Sequence, residues 1–215
     1  MLQPMIACLP TVFRLNSGQR AKVLLEPTIG AVIPDVVFGI WSGELPRYNG
    51  LNSVSRHVLA WLFIQKTASG ESQLREELLL SQYAAAAAMS SLKRVGAITQ
   101  RESGEVELQP EFDVSDGVRL IAIEIKLRRW REALEQAVAY REFADEAYVV
   151  LDGTQVRLTA DIRAAFISKG VGLLLQRGDE VVPEIAPMKS AKTAPSVDRL
   201  DAVSKLAKSG PYCLA

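Results

Sequence analysis

The chain is short of the residues on which much enzyme chemistry is built. Its 215 residues include one histidine, His57, and two cysteines, Cys8 and Cys213. Histidine–cysteine zinc sites are thereby excluded, and a Ser-His-Asp triad would have to rest on His57 alone. The cysteines lie near opposite ends, without metal-binding or redox spacing, so a disulfide framework is not expected and a reducing cytoplasm is. A surplus of charge of one sign is missing too. The 25 basic and 25 acidic residues cancel, so no global field draws the chain to nucleic acid, and any such contact must use local patches. Long uncharged apolar runs are absent, and the apolar start, Met1 to Pro10, has no basic leader. Neither a membrane span nor a signal peptide is expected. What remains is 48% hydrophobic and 23% charged, enough for one sizeable domain or one domain with a small module.

The pattern along the chain is mixed α/β. Lys22 to Ile29 and Val32 to Ile40, rich in Val, Ile and Leu, read as two strands around Gly30. Trp41 to Asn52, with Gly43, Pro46, Asn49 and Gly50, reads as a loop. Apolar residues then recur at helical spacing over Ser55 to Lys66, and Ser69-Gly70 breaks the run. Glu71 to Leu79 is a second short helix. Ser81 is placed to cap a third, Gln82 to Val95, which Gly96 ends. Ala97 to Gln100 and Glu105 to Gln109 pair as a hairpin. Asp116-Gly117 is a turn signal before a strand over Arg119 to Leu127. A helix over Arg129 to Ala144, a strand over Ala147 to Leu151, a helix over Thr159 to Ser168 and a strand over Val171 to Gln176 follow. Past Pro183 the composition becomes that of a linker, with a short amphipathic helix at Val197 to Lys208.

Within the strand at Arg119 to Leu127, Ile121, Ile123, Ile125 and Leu127 share one face, and Glu124 and Lys126 share the other with Leu120 and Ala122. Charged residues are rarely buried unless they pair or bind a metal, so a carboxylate and an amine on a core strand suggest a site. An ion pair on a solvated face explains the same two residues when they are taken alone. Upstream, Pro34-Asp35 lies in the second expected strand, where a turn former is the plain alternative. Downstream, Gln136 and Tyr140 are four apart and share a helix face, as ordinary surface and core positions also would.

Together, Pro34-Asp35 and Glu124-Ile125-Lys126, followed by Gln136 and Tyr140, resemble the PD-(D/E)XK nuclease superfamily over about residues 20–45 and 117–176. Residues 53–110 resemble a winged helix-turn-helix, with Leu92-Lys-Arg-Val-Gly-Ala-Ile98 similar to the end of a recognition helix entering the wing. The resemblance implies an α/β fold with a restriction-endonuclease-like mixed β-sheet core flanked by helices. The core would span 1–52 and 111–185, the winged helix 53–110, and a linker and C-terminal tail 186–215. Such cores have a helix before the first strand; Pro4, Pro10 and Gly18 imply that it is short or irregular here.

The implied activity is metal-dependent DNA hydrolysis, endonucleolytic or exonucleolytic, with Mg²⁺ or Mn²⁺ as cofactor. Asp35, Glu124 and the Ile125 carbonyl would hold the ion, with Glu26 of the first strand as a further acidic residue for which a structural reading weighs slightly more. Lys126 would orient water or neutralise charge, and Gln136 and Tyr140 would support the site or contact the DNA backbone. Arg128, Arg129 and Arg131 around Trp130 read as a phosphate-contacting patch or as a solvated helix start. In the winged helix only Lys93 and Arg94 of the recognition-type helix are basic, so DNA and protein contacts are both open. The alternatives are a non-cleaving DNA-binding regulator or adaptor and an interaction protein that forms a homodimer through the winged helix. His57 carries no assigned chemistry, and no membrane partner is expected.

Overall fold

The computed structural model describes residues 2–45, 48, 51–65, 67–68, 70–112, 117–189 and 196–208. Of the sequence signals above, Pro46, Asn49, Gly50, Lys66, Ser69, Asp116 and Cys213 lie outside the described residues. The chain starts with α1 (Leu2–Val12), β1 (Gln19–Leu25) and β2 (Val36–Ser42). Then come α2 (Ser53–Gln65), β3 (Thr67–Ala68), α3 (Glu71–Glu77), α4 (Gln82–Arg94), β4 (Ile98–Gln100) and β5 (Val106–Leu108). Next are β6 (Val118–Lys126), α5 (Trp130–Tyr140), β7 (Glu146–Asp152), α6 (Ala160–Lys169), β8 (Gly172–Arg177), β9 (Glu180–Ile185) and α7 (Val197–Lys208). No helix among the described residues is long and apolar enough to cross a membrane.

Two units form. The first takes the described residues of Met1–Glu44 and Val118–Lys192. Its sheet has the order β1-β2-β6-β7-β8-β9. β1, β2 and β6 pair antiparallel, β6, β7 and β8 parallel, and β9 returns antiparallel on β8. The central strands are apolar on both faces because helices cover both. On one face α1 sets Met5 and Leu9, one helical turn apart, against Val23, Phe38, Ile121, Ile123 and Val150. On the other, α5 buries a stripe of Ala133, Leu134, Ala137 and Tyr140 over β6 and β7. Burying each of the larger apolar side chains stabilises the fold by roughly 1.5–3 kcal/mol.

Four expectations are corrected. The N-terminal helix is regular, 11 residues long. Pro4 falls in its first turn, where an amide would lack a helical partner anyway, and Pro10 lies near its end, where one lost hydrogen bond costs least. Asp35 and Glu26 do not lie in strands: β1 stops at Leu25 and β2 begins at Val36. Pro27 and Pro34 lack amides for a ladder, and Glu26 takes a left-handed φ of 45°. Ile29 and Val32 instead close a tight turn, each amide donating to the other's carbonyl. The chain past Gln176 forms the edge strand β9, where Pro183 is tolerated because an edge has no second partner to satisfy. Finally, α7 is not part of a tail: it packs on α2, and Asp201 binds Arg56 at 2.7 Å.

The second unit takes the described residues of Leu45–Gly117 and Thr193–Lys208. It holds α2, α3, α4 and α7 and a three-stranded antiparallel sheet in the order β3-β5-β4. Ser81 caps α4 as expected, its hydroxyl accepting from the Ala84 amide, and Gly96 at φ 79° lets the chain leave the helix. α4 buries Ala85, Ala88, Met89 and Leu92. Tyr83 and Leu79 are left almost fully exposed.

Candidate active site

The site lies where β6 ends and β2 begins. The register pairs Val36 with Ile123, so Asp35 is one residue past the ladder and level with Glu124. With no backbone partner left for the Ile125 amide on that side, the Asp35 side chain takes it: the amide donates to Oδ2 at 2.7 Å. Glu124 and Lys126 share the face that α5 covers, as strand alternation requires. Glu124 is 1% exposed. Its Oε1 lies 2.7 Å from Lys126 Nζ, and its Oε2 accepts from the Tyr140 hydroxyl at 2.6 Å. That hydroxyl is also 3.5 Å from the Ile33 carbonyl, two residues before Asp35.

The electrostatics follow from this packing. The hydrogen bond to Glu124, with the charges of Glu124, Asp35 and Glu132, holds the Lys126 ammonium above its ordinary pKa against partial burial. Burial, and then the hydrogen bond and charge of Glu124 with the charge of Asp35, push the Tyr140 phenol far above its ordinary value. Tyr140 is therefore a fixed hydrogen-bond donor at neutral pH. Formally, two carboxylates against one ammonium leave one negative charge at the strand ends.

The remaining expected residues divide. Gln136 lies one turn before Tyr140 on α5, and its Oε1 is buried with no hydrogen-bond partner among the described residues. Glu26 is exposed, and its link to Asp35 runs through the backbone, amide to carbonyl at 3.0 Å. Arg128 and Arg129 line a groove of about 640 Å³ with Lys126, Leu127 and Gln155. Arg128 Nε donates to Gln155 Oε1, and Arg129 reaches Glu132 at 3.4 Å. Arg131 does not join them. It stacks 4.3 Å from the Trp130 ring centroid, beside a separate groove of about 330 Å³ that includes Leu134 and Val138. Lys93 and Arg94 belong to the second unit, at the end of α4, and Lys93 donates to Gln100 Oε1. The sequence reading missed Gln155 and the Ile33 carbonyl. Only the turn-forming Asp152-Gly153-Thr154 hinted that the chain beyond β7 bends back toward the groove.

Among the described residues no group of three or more His, Cys, Asp or Glu side chains is placed to hold a metal ion. The donors that are present, two carboxylates and the Ile125 carbonyl, still suit a hard divalent cation. Mg²⁺ commonly takes one or two carboxylates and fills its octahedron with water and phosphate oxygens. The surplus negative charge and the orphaned Gln136 oxygen fit such an ion with its water shell.

In comparisons with known proteins no family model matches the chain, and no curated protein or solved structure matches it.

Proposed function

We propose that the chain is a metal-dependent nuclease that hydrolyses phosphodiester bonds in DNA on a restriction-endonuclease-like core. The observation that carries this reading is the meeting of Asp35 with the end of β6: its Oδ2 accepts from the Ile125 amide at 2.7 Å, between Glu124 and Lys126, which pair with each other at 2.7 Å. The order of elements supports it: a helix, three antiparallel strands, a helix and a parallel strand. Asp35, Glu124 and the Ile125 carbonyl would hold Mg²⁺ or Mn²⁺. When bound, the ion polarises the phosphate and lowers the pKa of a coordinated water. Lys126, partly exposed at the strand end, orients the attacking water or neutralises charge on the phosphate. Gln136 Oε1 offers an acceptor to that water. Arg128 and Arg129 neutralise flanking phosphates in the groove.

The second unit is proposed as an inserted winged helix that assists DNA binding. Lys93 and Arg94 would meet phosphates. Its hairpin has little free positive charge, because Arg101 pairs with Glu105 and Glu107 at 3.3 and 2.9 Å.

A non-cleaving DNA-binding adaptor is the second reading, and one observation favours it: both oxygens of Glu124 already have donors. Purified protein with Mg²⁺ or Mn²⁺ on circular, linear, single-stranded and branched DNA separates the two. Cleavage that Lys126→Ala and Asp35→Asn abolish supports the nuclease, and circular against linear substrate distinguishes endonuclease from exonuclease. Equal cleavage by wild type and variants removes the assigned site. Tight, metal-independent binding without cleavage supports the adaptor.

A further inference from the structure

We infer that Tyr140 is a positioning residue that reserves one oxygen of Glu124, so that a divalent cation meets this carboxylate through Oε1 alone. The inference rests on the metal-site reading above. Glu124 is sealed from solvent, and its two oxygens are held in unlike ways. Oε2 takes the 2.6 Å hydrogen bond of a phenol that is itself 2% exposed, lies over the strand and has one proton to give. Oε1 faces Lys126, whose side chain is 29% exposed at the strand end, beside the groove. Of the two donors, only the lysine can swing away into open space. Lys126 therefore supplies at Oε1 the positive charge that a cation would supply. Its departure frees Oε1 together with an ammonium for the phosphate, while Tyr140 stays.

The device limits affinity for the ion. A carboxylate that keeps a donor on one oxygen is a weaker ligand than one free to chelate with both. Removing the phenol hydroxyl also leaves a buried acceptor unsatisfied, which the ion then satisfies. Tyr140→Phe changes no charge, so any gain in ion affinity comes from the lost hydrogen bond.

The test is isothermal titration of Mn²⁺, without DNA, into wild type, Tyr140→Phe, Asp35→Asn and Leu134→Ala. The expected result is roughly three- to tenfold tighter binding by Tyr140→Phe and at least tenfold weaker binding by Asp35→Asn. Leu134→Ala, which weakens the packing of α5 without touching Glu124, binds as wild type. Unchanged or weaker binding by Tyr140→Phe overturns the inference while leaving the metal site standing. If Asp35→Asn binds as tightly as wild type, or if wild type binds no ion, the metal site itself falls and the inference with it. Should Tyr140→Phe not fold, proton NMR of the wild type decides: the Tyr140 hydroxyl proton stays protected from exchange when Mg²⁺ saturates the protein, and its loss overturns the inference.

Discussion

The two ends of β6 carry the same three kinds of group and use them differently. At its start, on the α1 face, the buried Glu146 of the neighbouring β7 meets Arg119 and Tyr148. Arg119 Nε and Nη2 donate to its two oxygens at 2.9 and 2.8 Å, and the Tyr148 hydroxyl donates at 3.2 Å. At its end, on the α5 face, the buried Glu124 meets Lys126 and Tyr140. The first cluster is closed. One carboxylate faces one guanidinium, Arg119 also donates to the Phe13 carbonyl at 3.3 Å, and its head lies over the Phe13 ring. It ties the chain just past α1 to the sheet. The second cluster is open: it has a second carboxylate, a lysine where a bidentate arginine would have locked the pair, a neighbouring orphaned amide oxygen and an adjoining groove. A buried carboxylate thus belongs to a closed cluster or to an open one according to whether the charges around it balance.

The largest expected effect tests the open end. On the proposed nuclease reading, Lys126→Ala and Asp35→Asn each reduce Mg²⁺-dependent DNA cleavage by about 100-fold or more, the scale of losing a group that stabilises developing charge. Asp35→Asn changes the melting temperature little, and Lys126→Ala lowers it modestly without unfolding the protein, because Glu124 loses its cation. Loss of cleavage together with collapse of the fold would make this cluster a second brace.

At the closed end the effect falls on stability. Glu146→Ala costs roughly 2–3 kcal/mol in chemical denaturation, below the range for breaking a fully buried pair because the Arg119 side chain is 37% exposed. Glu124→Gln, by contrast, removes one of two neighbouring negative charges and is neutral or stabilising without metal, as active-site replacements often are. Equal losses for the two glutamates would erase the distinction.

A smaller effect concerns how Tyr148 is held. A Cβ at Gly172 would lie 2.4 Å from the Tyr148 ring, so Gly172→Ala costs about 1–3 kcal/mol by overpacking, read from the denaturation midpoint, and leaves Mn²⁺ affinity unchanged.

The smallest effect is with pH. Lys126 and Tyr140 both have pKa values raised by folding, so each adds stability that is fully present below its unfolded value, near pH 10, and is lost as pH rises through the folded value. Unfolding free energy therefore falls above about pH 10, and it falls less in Tyr140→Phe. An equally steep fall in that variant would place the titration elsewhere.

Much of this was legible in the residues. Alternation in Ile121-Ala-Ile-Glu-Ile-Lys126 separated Glu124 and Lys126 from the isoleucines, and the cap Ser81 marked where α4 begins. Helical spacing put Gln136 and Tyr140 on one face of α5. Three of the four misses turn on proline. By local preference proline breaks helices and strands, yet Pro10 sits inside α1 and Pro183 inside β9, because packing on the sheet and an unpaired edge offset what that preference costs. The same rule, applied too weakly at Pro27 and Pro34, extended two strands past their true ends and placed Glu26 and Asp35 inside them.

By itself the sequence determined which side chains share a face, because periods of 2 and 3.6 are properties of the backbone alone. It thereby determined that a carboxylate and an amine would meet on a buried strand. Only the tertiary structure decided which cluster is closed. That depends on what arrives from distant segments: Asp35 from 90 residues upstream to the Ile125 amide, Tyr140 from α5 to Oε2, and Arg119 on a different strand to Glu146. Hydrogen bonds act over about 3 Å whatever the separation in the chain, so they are settled by packing and not by spacing.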